Sequence, residues 1–408
     1  MARHYSTKDF FRQMPNALLA RYFQERGLFG ELDFAAMRET KPDALFVAWL
    51  ALPEGERNRM DAEFREIAAM SCEKGFRAIL DEAAFHFEGK PDESSAFTEK
   101  LAALDDHCER AMVAFLDHQE FWKGATLFNH ADSLSYWRKR KGLPHVPASV
   151  HEDGRRVLAD QIRDYFRHVE GRGNNCVVET FRRANRDYFF AYPEDYSQRS
   201  IEWVNGEFDR RRHNPAFEVI YVYSQDEGSL DMNFRGANKA IEPLQGMFAT
   251  AILNLPELPP DPGDTCIYDL NPLRERGFQF IYDPASGIQS VVVKKLRLSS
   301  KVVRGDRITL EADAAARPEA IYDLLDEVSK SVRLRTYNVT QVELAALVAT
   351  KPDEKPKSET FRITYPNSCS LKYDDMDLKL REMLADSGIE PREPMESMEL
   401  AGAEATEA

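Results

Sequence analysis

The sequence predicts an α+β fold in which an all-helical N-terminal domain precedes an antiparallel sheet with helices packed on it. Three observations predict this fold. Apolar residues recur every three to four positions up to about residue 170, as in amphipathic helices. Beyond Gly171 the pattern becomes an alternation, in segments rich in β-branched and aromatic residues. An order of strand, turn, strand and helix then occurs three times, so the sheet is expected to be built from three ββα units.

The helical part begins at Ser6 or Thr7, whose hydroxyl can cap a first turn. Further helices are predicted wherever apolar side chains keep helical spacing, namely over residues 16–26, 33–39, 42–52, 55–74, 76–87, 94–103 and 107–121. These helices form a predicted domain over residues 1–147. A helix within residues 148–172 is expected to bridge this domain to the rest of the chain.

The second predicted domain covers residues 173–390 and opens with strands at 176–183, 186–192 and 200–204. Its three ββα units are expected at residues 216–254, 288–332 and 339–388, and a loop rich in Lys, Pro and Glu interrupts the last unit. Residues 391–408 contain one Arg against five Glu and little apolar content. This acidic tail is therefore expected to be disordered.

The composition of the chain indicates its solubility, its cysteine chemistry and its relation to membranes. The chain has 408 residues, 54 Lys and Arg against 69 Asp and Glu, and a net charge of −15, which disfavours indiscriminate binding to polyanions. Its five cysteines are scattered without a CxxC pair, and its N-terminus lacks an apolar segment of the secretory type. The longest apolar run, residues 44–52, is about half the length of a membrane span. We therefore expect a soluble cytoplasmic protein without disulfides or membrane contact.

Common catalytic and nucleotide motifs are absent from the sequence. It contains no phosphate-binding GxxxxGK[ST] loop, no GxGxxG, no HExxH, no GxSxG and no ExxH pair. We therefore expect no bound cofactor and no metal site. This absence, beside well-formed hydrophobic patterning, favours a non-catalytic macromolecular interaction protein that binds protein partners.

Basic stretches raise an alternative function, nucleic-acid binding. The possible polyanion-binding residues lie in three of these stretches: Arg138, Lys139, Arg140 and Lys141; Arg182 and Arg183; Lys295 and Arg297. A fourth stretch is 210–212. Convergence of such stretches on one surface would favour a nucleic acid as partner. Solvated charges matched by neighbouring acids, or for 138–141 a helix end, are the competing interpretation.

Two sets of side chains raise a third alternative, a divalent-metal-dependent hydrolase or nuclease. Glu194 and Asp195 follow an aromatic strand and could act as acid and base or as metal ligands. The same pair is also typical of a structural turn. His107 and His118 each follow an Asp, but on one helix they would lie roughly 16 Å apart, too far to share one ion. They are weak catalytic candidates.

Overall fold

The structure is a computed structural model that describes residues 5–135, 137–204, 206–260, 267–314, 317–349 and 356–390. The predicted disordered tail and most of the predicted loop at 351–358 lie outside these residues. The described chain is a mixture of helices and antiparallel sheets, which confirms the α+β class. In this part of the chain no helix combines the length and the apolar character needed to cross a bilayer.

The chain divides into two compact units. Unit 1 runs to Leu134 and also contains Glu179–Phe189, and unit 2 contains Ser135–Val178 and the residues from Phe190 onward. The sequence had suggested a boundary near residue 147 with a bridging helix after it. In the structure that helix belongs to unit 2. Unit 1 contains the strand residues within Glu179–Phe189 in addition to its helices.

The described residues of unit 1 form eight helices: α1 (Thr7–Gln13), α2 (Asn16–Gln24), α3 (Asp43–Leu50), α4 (Glu54–Met70), α5 (Glu73–His86), α6 (Pro91–Ala102), α7 (His107–Asp117) and α8 (Gln119–Ser133). Its core contains stacked and edge-to-face aromatic rings; Phe64, for example, lies 4.7 Å from Phe10 between ring centroids. The helix predicted over residues 33–39 is wrong. The Asp33 carboxylate accepts hydrogen bonds from the backbone N–H groups of Ala35 and Ala36, which stabilises a turn instead.

Glu82, on α5, is a buried carboxyl group in unit 1. It is 3% exposed, its Oε1 lies 3.4 Å from His86 Nε2, and its Oε2 has no hydrogen-bond partner among the described residues. The space is provided by Gly124 on α8, where a Cβ would clash with the carboxyl group. Burial raises the pKa of Glu82 from 4.5 to about 7.

This carboxyl group should make unit 1 less stable as the pH rises. The unfolded chain ionises Glu82 near pH 4.5, whereas the folded chain holds it neutral until about pH 7. The neutral Glu82 carboxyl group therefore makes its full contribution to the free energy of unfolding below pH 4.5. This contribution, about 3 kcal/mol, is lost as the pH rises through 7. We expect Glu82→Gln to raise the free energy of unfolding at pH 8 by about 1–3 kcal/mol and to change it little at pH 5. Urea denaturation at both pH values measures this, with the exposed Glu88→Gln as control; equal effects of the two substitutions would contradict it.

Unit 2 contains most of the strands. They are β1 (Arg138–Arg140), β2 (Cys176–Arg183), β3 (Arg186–Pro193), β4 (Gln198–Val204), β5 (Glu207–His213), β6 (Val219–Ser224), β7 (Ser229–Phe234), β8 (Ile288–Ser300), β9 (Arg307–Glu311), β10 (Tyr337–Val348), β11 (Lys357–Thr364) and β12 (Ser368–Cys369). The tip of the β2–β3 hairpin belongs to unit 1. The α-helices of unit 2 are α9 (Glu152–Glu170), α10 (Ile241–Ala251), α11 (Ala320–Ser329) and α12 (Asp375–Asp386).

These strands form two sheets and one ribbon rather than the single sheet that the sequence suggested. The first sheet has the order β1-β7-β6-β3-β2 and the second the order β12-β11-β10-β8-β9, while β4 and β5 pair only with each other. Strands of the first predicted ββα unit lie in the first sheet, and strands of the other two lie in the second. The description of these segments as repeated units stays a prediction.

The second sheet has one face in a hydrophobic core and one polar face. Leu296, Val342 and Ile363 share the core with Leu325 of α11 and Leu380 of α12. The alternating residues of the same strands are half-buried or exposed, as expected for an antiparallel sheet with helices on one side. We refer to this second side as the open face.

Candidate functional site

The basic run that the sequence placed at a helix end is strand β1, an edge strand whose backbone pairs with β7. Its cations have internal partners. Lys139 Nζ lies 2.7 Å from a Glu227 carboxylate oxygen and 2.9 Å from Glu390, and Lys141 lies 3.3 Å from Glu390. A polyanion would have to displace these acids, so the run contributes to packing rather than to an open surface.

The two other residues of β1 are also held by neighbours. Arg138 donates a hydrogen bond to the Asn238 side chain at 2.7 Å. Arg140 is buried and donates to Gln245 and to the Pro259 carbonyl oxygen at 3.2 and 2.6 Å. The Arg140 guanidinium is therefore not open to solvent as a phosphate-binding group would be, whereas Arg138 is half-buried and its partner is uncharged.

The adjacent residues Arg182 and Arg183 differ in environment. The Arg183 side chain is 1% exposed and forms ion pairs with Asp81 at 2.7 Å and Asp132 at 2.8 Å. Burial lowers the pKa of Arg183, but the nearby Asp132 and Asp81 carboxylates raise it by a larger amount. The pKa of Arg183 therefore lies above its ordinary value. Arg182 is 55% exposed, with Asp187 at 3.9 Å. Only Arg182 of this pair is open to solvent.

The adjacent carboxylates Glu194 and Asp195 make structural contacts. Glu194 accepts hydrogen bonds from the side-chain amides of Asn175, at 2.6 Å, and Asn214. Asp195 forms an ion pair with Arg172 at 2.7 Å, and although burial raises its pKa, the hydrogen bonds from Arg172 and from the backbone of Tyr196 lower it. This arrangement fits a turn that is held by its acids.

His107 and His118 lie at opposite ends of α7. His107 Nε2 is 3.3 Å from Glu73, while the His118 ring stacks on Phe121 at 5.3 Å between centroids. Within the residues that the structure describes, no group of three or more His, Cys, Asp or Glu side chains is arranged to hold a metal ion.

The most exposed combination of charge and aromatic side chains lies on the ribbon of β4 and β5. The two strands pair from Gln198 with His213 to Val204 with Glu207, and the loop between them contains Gly206. Gly206 in that loop has φ of +80°, a conformation that glycine adopts without strain. The ribbon belongs to neither of the larger sheets.

Cross-strand pairing divides the ribbon side chains between two faces. We call one of them the arginine face; its members are Arg199, Ile201, Trp203, Phe208, Arg210 and Arg212. The opposite face carries Gln198, Ser200, Glu202, Val204, Glu207, Asp209, Arg211 and His213. All ribbon acids are on the second face. With neutral histidine the arginine face has a charge of +3, and the other face has one arginine against three acids, or −2.

The apolar side chains of the arginine face are open to solvent. Ile201 is 70% exposed, Trp203 is 69% exposed and Phe208 is 52% exposed. The Trp203 and Phe208 rings meet edge to face at 5.7 Å, and the Arg210 guanidinium lies 6.0 Å from the Phe208 ring. Isolated exposed apolar residues are ordinary, but three together beside cations are typical of an interaction site.

In the part of the chain that the structure describes, the arginines of this face are not paired with acids. In the described ranges no ion pair involves Arg199, Arg210 or Arg212. At physiological salt the Debye length is about 8 Å, so the net negative charge of distant parts of the chain is largely screened at the ribbon. The charges of +3 and −2 on its two faces leave the ribbon itself at +1, with the excess of positive charge on the arginine face, although the protein is acidic.

The sequence predicts only one of the two strands that form this site. It noted the basic stretch 210–212 and a strand at 200–204, but it did not predict β5, because Glu, Asp and Arg have little β-propensity. The signal that could have found the hairpin is the Asn205-Gly206 dipeptide after the first strand.

Lys295 and Arg297 alternate with the buried Leu296 and Leu298, and both lie on the open face of the second sheet. Lys295 forms an ion pair with Glu311 across the pair of strands at 2.7 Å. Arg297 is half-buried and forms no ion pair in the described part of the chain. The two cations therefore have different electrostatic environments on one strand.

Comparison of the chain with models of protein families, with curated proteins and with solved structures found no match in any of the three.

Proposed function

We propose that the protein is a non-catalytic binding protein that holds single-stranded nucleic acid on the arginine face of the ribbon. The observation that supports this proposal is the grouping, on one side of a two-stranded ribbon, of exposed Trp203 and Phe208 with three arginines that form no ion pair among the described residues. Guanidinium groups pair with phosphates, and aromatic faces stack on bases. Both kinds of group are needed to bind a chain of nucleotides without a closed pocket.

A nucleic acid fits this face better than the protein partner that the sequence alone favours. A protein partner would need an acidic surface that also buries Ile201, Trp203 and Phe208. A nucleotide chain carries the negative charge and the flat apolar rings at a regular spacing along its whole length. The charge of +3, with every ribbon acid on the opposite face, matches this chemistry.

A single strand fits better than a duplex. A two-stranded ribbon can enter the major groove of a duplex, which is about 12 Å wide. There, however, the bases are stacked on each other and offer only their edges. The exposed Trp203 ring requires a free base face, which a single strand provides.

The test measures binding of a fluorescently labelled single-stranded oligonucleotide of mixed sequence by anisotropy. We expect the triple variant R199A/R210A/R212A to weaken binding at least about thirtyfold, because each charged contact contributes about 1.5–3 kcal/mol. Each lost phosphate contact should also reduce the salt slope, by about 2 in total for a single strand. Trp203→Ala should weaken binding about five- to a hundredfold through lost stacking.

The matched control is Arg211→Ala, which removes an arginine of the same stretch from the opposite face. It should change the affinity less than about threefold, since it is not part of the arginine face. Three results would each overturn the proposal. They are no affinity at low salt, tighter binding of duplex than of single strand, and a loss of binding free energy in R211A that reaches one-third of the loss in the triple variant. Circular dichroism checks that the variants are folded.

A further inference from the structure

The open face of the second sheet carries a second group of arginines that is separate in sequence from the ribbon. Arg297 on β8 is paired with Thr309 on β9 and with Gln341 on β10, so the three side chains form one row across the sheet. Gln341 is in turn paired with Thr364 on β11. This row has one cation and three uncharged polar side chains, and no acid.

Two further arginines belong to the same face. Arg307 is two residues from Thr309 on β9, and Arg362 is two residues from Thr364 on β11. Because side chains alternate along a strand, both lie on the side of Arg297. Arg307 and Arg362 are exposed, and Arg297 is half-buried between the strands that carry them.

Each acid of this face is paired with a cation, and one of them, Glu343, pairs with Arg362 of this group. Glu311 pairs with Lys295 at 2.7 Å, and Glu343 lies 3.8 Å from Lys294 and 3.3 Å from Arg362. Arg297 and Arg307 form no ion pair among the residues that the structure describes. The Nε atom of Arg297 is buried and has no hydrogen-bond partner in the same part of the chain. A buried donor without a partner is costly, and a ligand oxygen would satisfy it.

The electrostatic environment agrees with this geometry. Burial lowers the pKa of Arg297, and the like charges of Arg307 and Arg362 lower it further. The Arg297 guanidinium, which both neighbours repel, would be stabilised by an anion placed beside it.

From this arrangement we infer that Arg297, Arg307 and Arg362 bind a phosphate group on the open face of the second sheet. Arginine presents its N–H donors in a planar fork that matches two oxygens of a phosphate. The Thr309 hydroxyl, next to Arg297 in this row, can supply a further donor. The group can be a phosphomonoester of a small ligand or a phosphodiester of a nucleic acid, and the two share this chemistry.

The first experiment uses inorganic phosphate as the probe. Thermal unfolding of the full chain is followed as phosphate replaces chloride at constant ionic strength and pH, and the apparent dissociation constant is obtained from the rise in Tm. We expect Arg297→Met to raise this constant at least about tenfold, as loss of a charged hydrogen bond predicts. Lys295→Met, on the same strand and face but paired with Glu311, should change it less than about twofold.

This design separates a site from the general stabilising effect of phosphate on proteins, which all variants share. Arg307→Met provides a second test at an exposed position, in case Arg297→Met does not fold, and should also weaken the response. If both arginine variants respond to phosphate as the wild type does, or if phosphate adds nothing beyond chloride, the inference is wrong.

A second experiment distinguishes the two sources of phosphate. A dinucleotide with a 5′-phosphate and its unphosphorylated twin are compared: preference for the former assigns a phosphomonoester site, and equal binding assigns a phosphodiester site. Binding of neither dinucleotide would contradict the inference. The ribbon variant R199A/R210A/R212A should keep the phosphate response, so the two proposals can fail separately.

Discussion

Replacement of Arg183 by methionine is expected to lower the free energy of unfolding by about 3–5 kcal/mol, because it removes one partner of a buried ion pair. The Arg183 and Asp132 side chains are 1% and 3% exposed, and their charged atoms are 2.8 Å apart. Without Arg183 the Asp132 carboxylate would stay in a low-dielectric site and would have to be protonated or hydrated there. The neighbouring Asp81, more exposed at 35%, can turn to water and contributes less.

Urea denaturation monitored by far-UV circular dichroism measures this effect. Arg182→Met is the matched control, since Arg182 is its exposed neighbour and has an acid only at 3.9 Å; a change within about 0.5 kcal/mol is expected. The double variant R183M/D132L should recover much of the loss, because an apolar pair can replace a buried ion pair. A loss below about 1 kcal/mol for R183M would contradict the importance of burial at this site.

The second large effect is expected at Glu390, which closes a buried group of charges in unit 2. Its carboxylate lies 2.9 Å from Lys139 Nζ, 3.3 Å from Lys141 and 4.0 Å from Arg381. Burial raises the pKa of Glu390, but the charges of Lys139, Arg381 and Lys141 outweigh burial and lower it from 4.5 to about 2. The ionised form is therefore stabilised by folding.

The sign of the pH dependence follows from this lowered pKa. The contribution of Glu390 is complete above pH 4.5, where the unfolded chain is also ionised, and it is lost as the pH falls towards 2. We expect Glu390→Gln to destabilise the protein by about 3 kcal/mol at pH 7 and by progressively less below pH 4.5. Guanidinium denaturation at pH 7 and pH 3 tests this, with the exposed Glu382→Gln as control. A loss that is the same at both pH values would rule out this ion pair as its cause.

The predictions for Arg183 and Glu390 concern buried charges that stabilise the fold, a role that the sequence did not suggest. Lys139, Arg140 and Arg183 belong to basic stretches that were candidates for a polyanion surface, and all three are buried. Two of the arginines proposed to bind nucleic acid come from the stretch 210–212, which the sequence marked only as a further basic run. The sequence shows where arginines are concentrated, but it does not show which of them have acids close in space.

Local patterns in the sequence were sufficient to determine the α+β class, most helices and the long strands, because helix and strand formation depends on neighbours a few residues apart. The alternation along β8 is by itself enough to place Lys295 and Arg297 on one face of the sheet. Local patterns did not predict the turn at Asp33, where a side-chain carboxylate accepts hydrogen bonds from the backbone. They also did not predict the arginine-rich strand β5.

Only the tertiary structure decided which charges are neutralised and which remain available. Lys139 and Glu390 are 251 positions apart, and Arg183 and Asp81 are 102 positions apart, yet each pair is in contact. Ion pairing depends on distance and on the dielectric environment, and neither can be read from positions in a chain. The arginine face and the Arg297 group are candidate sites because, among the described residues, the three arginines of that face and both Arg297 and Arg307 form no ion pair, whereas Lys139 and Arg183 do.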